Sequence, residues 1–256
     1  DDQVQEMIED GCNVLCINLA DRTDLSHIIN AAMEKDIPII FFNREPVDED
    51  LNRWDKLYYV GAKAKQSGQM QGELIADYIK NNPGVDKNGD GRIQYVILEG
   101  EMGHQDAIVR TESVTESMKN NGLQIANWNR AQAQNRMTQL IGQYKNSIEL
   151  VIANNDAMAL GAIDAYEKLG VTESNVPAFF GVDGTDDGLE AVQQSKLAAT
   201  VYNDKEGQAR AMAQLAYLAA TGGSMKNIKF EDKKYVYLPY EKVTHDNVNE
   251  FVKDEQ

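Results

Sequence analysis

Positive charge is in short supply in this sequence. Its 25 Lys and Arg stand against 41 Asp and Glu, a formal net charge of −16 over 256 residues. Affinity for a polyphosphate comes mainly from clustered Lys and Arg, so the balance argues against nucleic acid as a partner and against docking to an anionic membrane surface. Long apolar runs are missing too: no stretch approaches the roughly 18 apolar residues that a membrane-spanning helix needs. No charged start followed by an apolar core opens the chain, so any export signal is expected to have been removed already. Proline numbers only five, and no Pro-rich linker, internal repeat or low-complexity tract divides the sequence. Cysteine numbers two, both in the run Cys12-Asn13-Val14-Leu15-Cys16-Ile17-Asn18. On a strand their Cα atoms would lie roughly 13 Å apart, whereas a disulfide needs under about 7 Å. They are expected to be two small core side chains, and they leave the redox compartment open.

What is present is ordinary globular material, 42% hydrophobic and 26% charged, enough to bury a core in one or two domains. Helix and strand signals alternate. Asp21 to Asp36 puts Leu25, Ile28, Ile29, Ala32 and Met33 on one helical face, and the continuous apolar run Ile37 to Phe42 follows at once. Such a run reads as a strand buried on both faces, as in a parallel sheet between helix layers. The rhythm repeats: a helix over Lys65 to Asn81 and a strand over Arg92 to Leu98, then a helix over Asp106 to Asn120 and a short apolar run near Leu123. Glu149 to Ala153 is a strand before another helix, and Ala178 to Val182 begins a further unit. This predicts a doubly wound α/β architecture. Asp1 to Asp10 reads as the tail of an amphipathic helix closed by Gly11. A doubly wound domain normally opens on a strand, so this start is either a first helix at a sheet edge or the middle of a unit. With no linker in the sequence, two domains would be lobes joined by several short crossovers.

The sharpest local signal is Asp86-Lys87-Asn88-Gly89-Asp90-Gly91-Arg92-Ile93-Gln94. Oxygen side chains fall at loop positions 1, 3, 5 and 9, Gly91 at position 6 allows a tight turn, and Arg92 at position 7 can offer its carbonyl. That is the front of a calcium loop, because Ca2+ takes six to eight oxygens on flexible backbone. Position 12, where a standard loop has a bidentate Glu, is Ile97, so a carboxylate must come from elsewhere. The alternative is an Asn/Asp/Gly surface turn. A second cluster, Gly103-His104-Gln105-Asp106 with Arg110, would set Asp106 and Arg110 four apart on one helical face, at a strand's end where α/β sheets bind ligands; a capped helix with an exposed ion pair fits equally well. Polar residues also follow the buried strands one after another: Asn43, Asn155 with Asp156, Asp183 and Asn203. Together they would line one crevice with the donors and acceptors that sugar hydroxyls require. Trp128, in the polar stretch Asn127-Trp128-Asn129-Arg130, has no evident core to fill; its ring would suit the apolar face of a pyranose, or the edge of a lobe.

These residues together resemble the periplasmic galactose/glucose-binding proteins, the type I substrate-binding proteins of sugar ABC transporters. The resemblance runs from Ile17-Asn18-Leu19 through Phe41-Phe42-Asn43, Tyr58-Tyr59-Val60-Gly61 and Ala153-Asn154-Asn155-Asp156-Ala157-Met158 to Phe180-Gly181-Val182-Asp183 and Val201-Tyr202-Asn203-Asp204. It implies two Rossmann-like lobes with parallel sheets, residues 1–62 with 205–239 and 63–204 with 240–256, joined by three crossover strands that close as a hinge over a ligand. It implies D-glucose or D-galactose contacts from Asn43, His104, Asp106, Arg110, Asn155, Asp183 and Asn203, with Trp128 as one of two aromatic faces on the sugar ring. It implies Ca2+ held by Asp86, Asn88, Asp90, the carbonyl of Arg92, Gln94 and Glu149, the last supplying the missing carboxylate. It also implies delivery to a membrane ABC permease, with a chemoreceptor as a second partner, and a periplasmic or lipid-anchored extracytoplasmic location. In the family a first strand, first helix and second strand precede the point where Asp1 aligns; they bring a second stacking aromatic and a further polar sugar contact.

Two other classes compete. The effector domain of a sugar-responsive repressor shares this fold, but the chain has neither a helix-turn-helix nor a basic patch. A sugar-modifying enzyme would use His104 with Asp106 as an acid/base pair, yet no activated nucleophile or paired carboxylates stand out.

Overall fold

Short apolar strands alternate with helices in the computed structural model, which describes residues 2–116, 123–125 and 128–252. The chain divides into two units, Asp1–Lys63 with Asp204–Pro239 and Ala64–Asn203 with Tyr240–Gln256. It therefore passes from one unit to the other three times.

The first unit is built from α1 (Asp2–Glu9), β1 (Leu15–Asn18), α2 (Ser26–Glu34), β2 (Ile39–Phe42), α3 (Asp48–Leu51) and β3 (Leu57–Gly61). The chain later returns to it with α9 and β9, whose ranges close the next paragraph. Its strands run in the order β1-β2-β3-β9, all parallel. Alternation along β2 sorts the core: Ile39 and Phe41 join Leu25, Ile29 and Ala32 on one face, while Ile40 joins Val60 and Leu215 on the other. All are completely or almost completely buried, the two-sided burial that a continuous apolar run anticipates.

The second unit comprises α4 (Ala64–Asn81), β4 (Tyr95–Glu99), α5 (Gln105–Thr115), β5 (Leu123–Ile125), α6 (Arg130–Tyr144), β6 (Leu150–Ala153), α7 (Asp156–Leu169), β7 (Ala178–Phe180), α8 (Asp186–Gln193) and β8 (Ala199–Asn203). After α9 (Lys205–Thr221) and β9 (Tyr235–Tyr237) in the first unit, β10 (Tyr240–Thr244) completes this one. The sheet order is β10-β8-β7-β6-β4-β5, parallel except for β10, which pairs antiparallel with β8. β4 is followed by β5 on one side and has β6 on the other, so the strand order reverses between β4 and β6. Outside the carboxyl ends of strands, at such a reversal, α/β sheets form their ligand crevices.

Several boundaries differ from the sequence reading. The predicted helix over Asp21 to Asp36 begins only at Ser26, because Asp21 Oδ1 accepts both the amide and the hydroxyl of Thr23 in a local turn. The predicted strand over Arg92 to Leu98 is β4, which begins at Tyr95, because the amides of Arg92 and Gln94 are bonded to Asp90 and Glu149 instead of a neighbouring strand. The predicted helix over Asp106 to Asn120 is α5, and its expected end at 117–120 lies outside the described residues, as does Asn127. Of the two cysteines expected in the core, only Cys12 packs against it. Cys12 precedes β1 and is half-buried, and Cys16 points from β1 to the exposed side of the strand's alternation.

Candidate functional site

In the second unit, the polar residues after β4, β6 and β7 gather around Arg110. Arg110 is 4% exposed. Nη1 donates to the carbonyl of Asn154 at 2.7 Å and to Asp183 Oδ1 at 3.4 Å. Nη2 donates to the Tyr240 hydroxyl at 3.2 Å and lies 3.6 Å from Asp106 Oδ2. Burial works against the guanidinium's charge, but Tyr240, Asp183 and Asp106 outweigh it and raise its pKa. Burial likewise pushes the Asp183 carboxyl up; Arg110 pulls it back, and Asp106 adds to the rise. The predicted Asp106–Arg110 pair is therefore real, but it is buried and branches to three further groups. Asp183 has φ +116, and its own amide and carbonyl are fixed to Val201 and Asn203 on β8. The carboxylate is thus held on a tied-down turn.

Trp128 flanks this cluster. The Arg110 guanidinium carbon lies 5.5 Å from its ring centroid, within the range where a cation is drawn to an aromatic face. The ring of His104 meets Trp128 edge-on at 5.3 Å, and His104 Nδ1 accepts the Asp106 amide at 3.1 Å, capping α5. The indole lies against Gly100, where a Cβ would come within 2.3 Å of the ring. Only glycine after β4 leaves room for it.

Of the other predicted contacts, Asn155 is the N-cap of α7, its Oδ1 accepting the Met158 amide at 3.0 Å. Asn203 ends β8, in register with Tyr240, and its amide donates to the Asp183 carbonyl at 2.9 Å. Asn43 belongs to the first unit. It follows β2 with φ +62, a conformation that Asn tolerates better than most residues; its Nδ2 donates to Asn18 and its carbonyl accepts the Tyr59 hydroxyl. Two residues of the cluster escaped the sequence reading. Asn154 is completely buried and accepts Gly100 and Thr111 as well as Arg110; its place in Asn154-Asn155-Asp156 was a usable signal. Tyr240 carries none, being an ordinary strand residue 130 positions from the arginine it meets.

The acidic loop is ordered around its own oxygens. Asp86 accepts the amides of Gly89, Asp90 and Gly91, and Asp90 Oδ1 accepts Arg92. The side chains of Asn88, Asp90 and Gln94 bond to one another. The amides of Glu149 and of Leu150, the first residue of β6, donate to the Gln94 carbonyl, which brings in Glu149 from 55 residues away: its side-chain oxygens accept the amides of Lys87 at 2.7 Å and Gln94 at 2.8 Å. Among the described residues no group of three or more His, Cys, Asp or Glu side chains is placed so that it could hold a metal ion. The donor set is nonetheless all oxygen, and each carboxylate oxygen that takes an amide keeps further lone pairs. Glu149 is 1% exposed and its oxygens meet amides rather than a cation's hydrogens. Oxygen donors are the type that a hard cation takes.

A family model described as a periplasmic binding protein domain matches residues 1–224. The chain belongs to the periplasmic binding protein family. As a periplasmic binding protein it is 39% identical over 262 aligned positions to the D-galactose/methyl-galactoside binding periplasmic protein MglB of Haemophilus influenzae, covering 98% of this chain and 78% of that one. It is 30% identical over 203 positions to the ribose import binding protein RbsB of Escherichia coli, covering 77% and 62%. Among solved structures it resembles an ABC transporter solute binding protein from Bacillus halodurans with bound myo-inositol, at 31% identity and a TM-score of 0.79, covering 98% of this chain and 80% of that one. The type I fold of this periplasmic binding protein, α/β with parallel sheets, agrees with these neighbours. Among its described residues no helix is long and apolar enough to cross a membrane.

Proposed function

We propose that this periplasmic binding protein takes up a monosaccharide, a hexose such as D-galactose or D-glucose, and presents it to the permease of an ABC transporter, with a chemoreceptor as a second partner. It does no chemistry on the sugar. The observation that carries this reading is Arg110, buried at the reversal of strand order and shared between Asp106 and Asp183 beside the Trp128 ring. Such an arrangement offers fixed ionic acceptors, a fixed cation and an aromatic face, which together match a pyranose's polar rim and apolar face. His104, Asp106, Arg110, Asn155, Asp183 and Asn203 are assigned as polar contacts from the second unit, Trp128 as the stacking surface and Asn43 as a contact from the first. The MglB relative, named for D-galactose, supports a hexose over the ribose and inositol of more distant relatives.

In the same reading Ca2+ is held by Asp86, Asn88, Asp90, the Arg92 carbonyl, Gln94 and Glu149. When bound, the ion supplies charge compensation for three carboxylates. The loop's own residues do the rest: Asp86 and Asp90 fold the backbone, and Glu149 fixes the loop to the start of β6.

Isothermal titration with D-galactose, D-glucose, D-ribose and myo-inositol tests the assignment. Binding of a hexose at micromolar or tighter Kd, with ribose and inositol weaker, is the expected outcome. Preference for ribose or inositol would overturn the hexose reading, and the absence of heat with all four would overturn the site.

A further inference from the structure

Asp156 opens α7, is completely buried, and lies outside the set of sugar contacts assigned above. Its carboxyl group fills a space made for it. A Cβ at Gly181 would come within 2.1 Å of Oδ1, and one at Gly188 within 2.3 Å of Oδ2. Thr200 on β8 donates to Oδ1 at 2.6 Å, and the Thr185 amide donates to Oδ2 at 2.8 Å. The Asp156 amide donates to the Val182 carbonyl at 2.8 Å. One residue thus ties α7 to the near side of the turn that carries Asp183 through its amide, and to β8 and the start of α8 through its carboxyl group.

The surrounding charges are few. Asp183 sits in that turn; on α5, Arg110 pairs with both Asp183 and Asp106; the first turn of α8 carries Asp186 and Asp187, and Arg130 at the start of α6 pairs with Asp187. On α4 the neutral Gln71 donates to the carbonyls of Ala153 and Gly181. Among the described residues no cation is paired with Asp156: Arg110 is spent on Asp106 and Asp183. A buried carboxylate with amide and hydroxyl donors but no cation faces a desolvation cost that protonation removes.

We propose that Asp156 is a proton-linked positioning residue for Asp183, so that its protonation state sets how well the turn at residues 183–185 receives a monosaccharide. The inference deepens the sugar-binding reading and, for its effect on affinity, rests on it. Burial and the neighbouring charge of Asp183 push the Asp156 carboxyl up to about 7, against the pull of Thr200, Thr185 and Gly184. The neutral acid keeps every contact, because its proton can lie on the 2.6 Å line to Thr200. The ionised form adds a negative charge beside Asp183 and competes for the field of Arg110. A ligand that covers the turn disfavours that form further. The protonated state is therefore the tighter binder, and affinity falls as pH rises through neutrality. The sign for stability is the same. A carboxyl whose folded pKa lies above its unfolded value stabilises the fold at low pH, and that contribution is lost as pH climbs from about 4 to about 7.

The test compares wild type, Asp156→Asn and Thr200→Val between pH 5.5 and 8.5. Asparagine copies the neutral acid, and valine removes the hydroxyl that favours ionisation. In the unliganded protein, the Gly184 and Thr185 amide resonances of wild type should titrate near neutrality. They should be flat in Asp156→Asn and move with a higher midpoint in Thr200→Val. With D-galactose, wild-type Kd should rise from pH 6 to pH 8 by up to about tenfold, the effect of a pKa change of one unit on binding, while Asp156→Asn holds the tighter value throughout. Wild-type amides that do not titrate overturn the proton linkage whatever the sugar does. Titrating amides with the same pH profile of Kd in wild type and Asp156→Asn overturn the positioning role. Titrating amides with no sugar binding at any pH leave the linkage standing and overturn the monosaccharide reading instead.

Discussion

Arg110 serves four partners with two nitrogens, and this division of labour makes the position intolerant. A lysine presents a single nitrogen and cannot span Asn154, Asp183, Tyr240 and Asp106 together. Arg110→Lys is therefore expected to weaken sugar binding by about 2–5 kcal/mol, the range for truncating one partner of a buried hydrogen-bonded charge pair. Isothermal titration reads the loss; an unchanged Kd would remove Arg110 from the site. Trp128 offers a second test, because the chain holds only two tryptophans. Sugar addition should change the intrinsic fluorescence of wild type and of Trp54→Phe, and leave that of Trp128→Phe flat. His104, Asp106, Arg110 and Asp183 were legible in the sequence because each stands where a buried strand gives way to a polar residue, or four positions from such a residue on a helix. Tyr240 was not legible. Its meeting with Arg110 depends on a strand that returns from the end of the chain, and nothing local signals that.

Among the elements, apolar runs located β2 and β6 within a residue or two, because burial on both faces leaves few polar positions to confuse the pattern, and α4 was placed within one residue. Edges were harder. At the start of β4, side-chain oxygens of Asp90 and Glu149 capture amides that a sheet would otherwise have used, so strand-like residues stay in the loop. β1 misled in another way: its alternation leaves Cys16 exposed, and an apolar run did not show which side of the pleat faced the core. The acidic loop yields a prediction of its own. If it holds Ca2+, adding the ion at a hundred times its Kd should stabilise the protein by about 2.7 kcal/mol, seen as a higher Tm in calcium than in chelator. Glu149→Gln, which removes one of the charges that compensate the ion, should abolish most of that difference. Equal Tm values in calcium and chelator for wild type would leave the loop a self-bonded turn.

At the scale of the molecule, helix and strand alternation announced a doubly wound α/β protein, and the net charge of −16 fits a carrier of neutral sugars better than a partner of polyanions. Neither feature marks where the chain changes unit. The passages at residues 63–64, 203–204 and 239–240 carry no run of glycine, serine or proline, because each is a short ordered step rather than a tether. The interleaving has a consequence for the order of synthesis. When the ribosome has made α8 and β8, the second unit still lacks β10. The whole of α9 and β9, which belong to the other unit, must be made before it arrives. Throughout that interval β8 presents an open edge with unpaired amides and carbonyls, the kind of edge that recruits other chains, and Arg110 lacks Tyr240. A chain halted at Pro239 is accordingly expected to scatter light and fail to bind sugar, while one extended through Thr244 regains the closed edge; equal solubility of the two would show that β8 tolerates exposure. Completion of this site is thus among the last events in making the protein, although most of its side chains are among those made earlier.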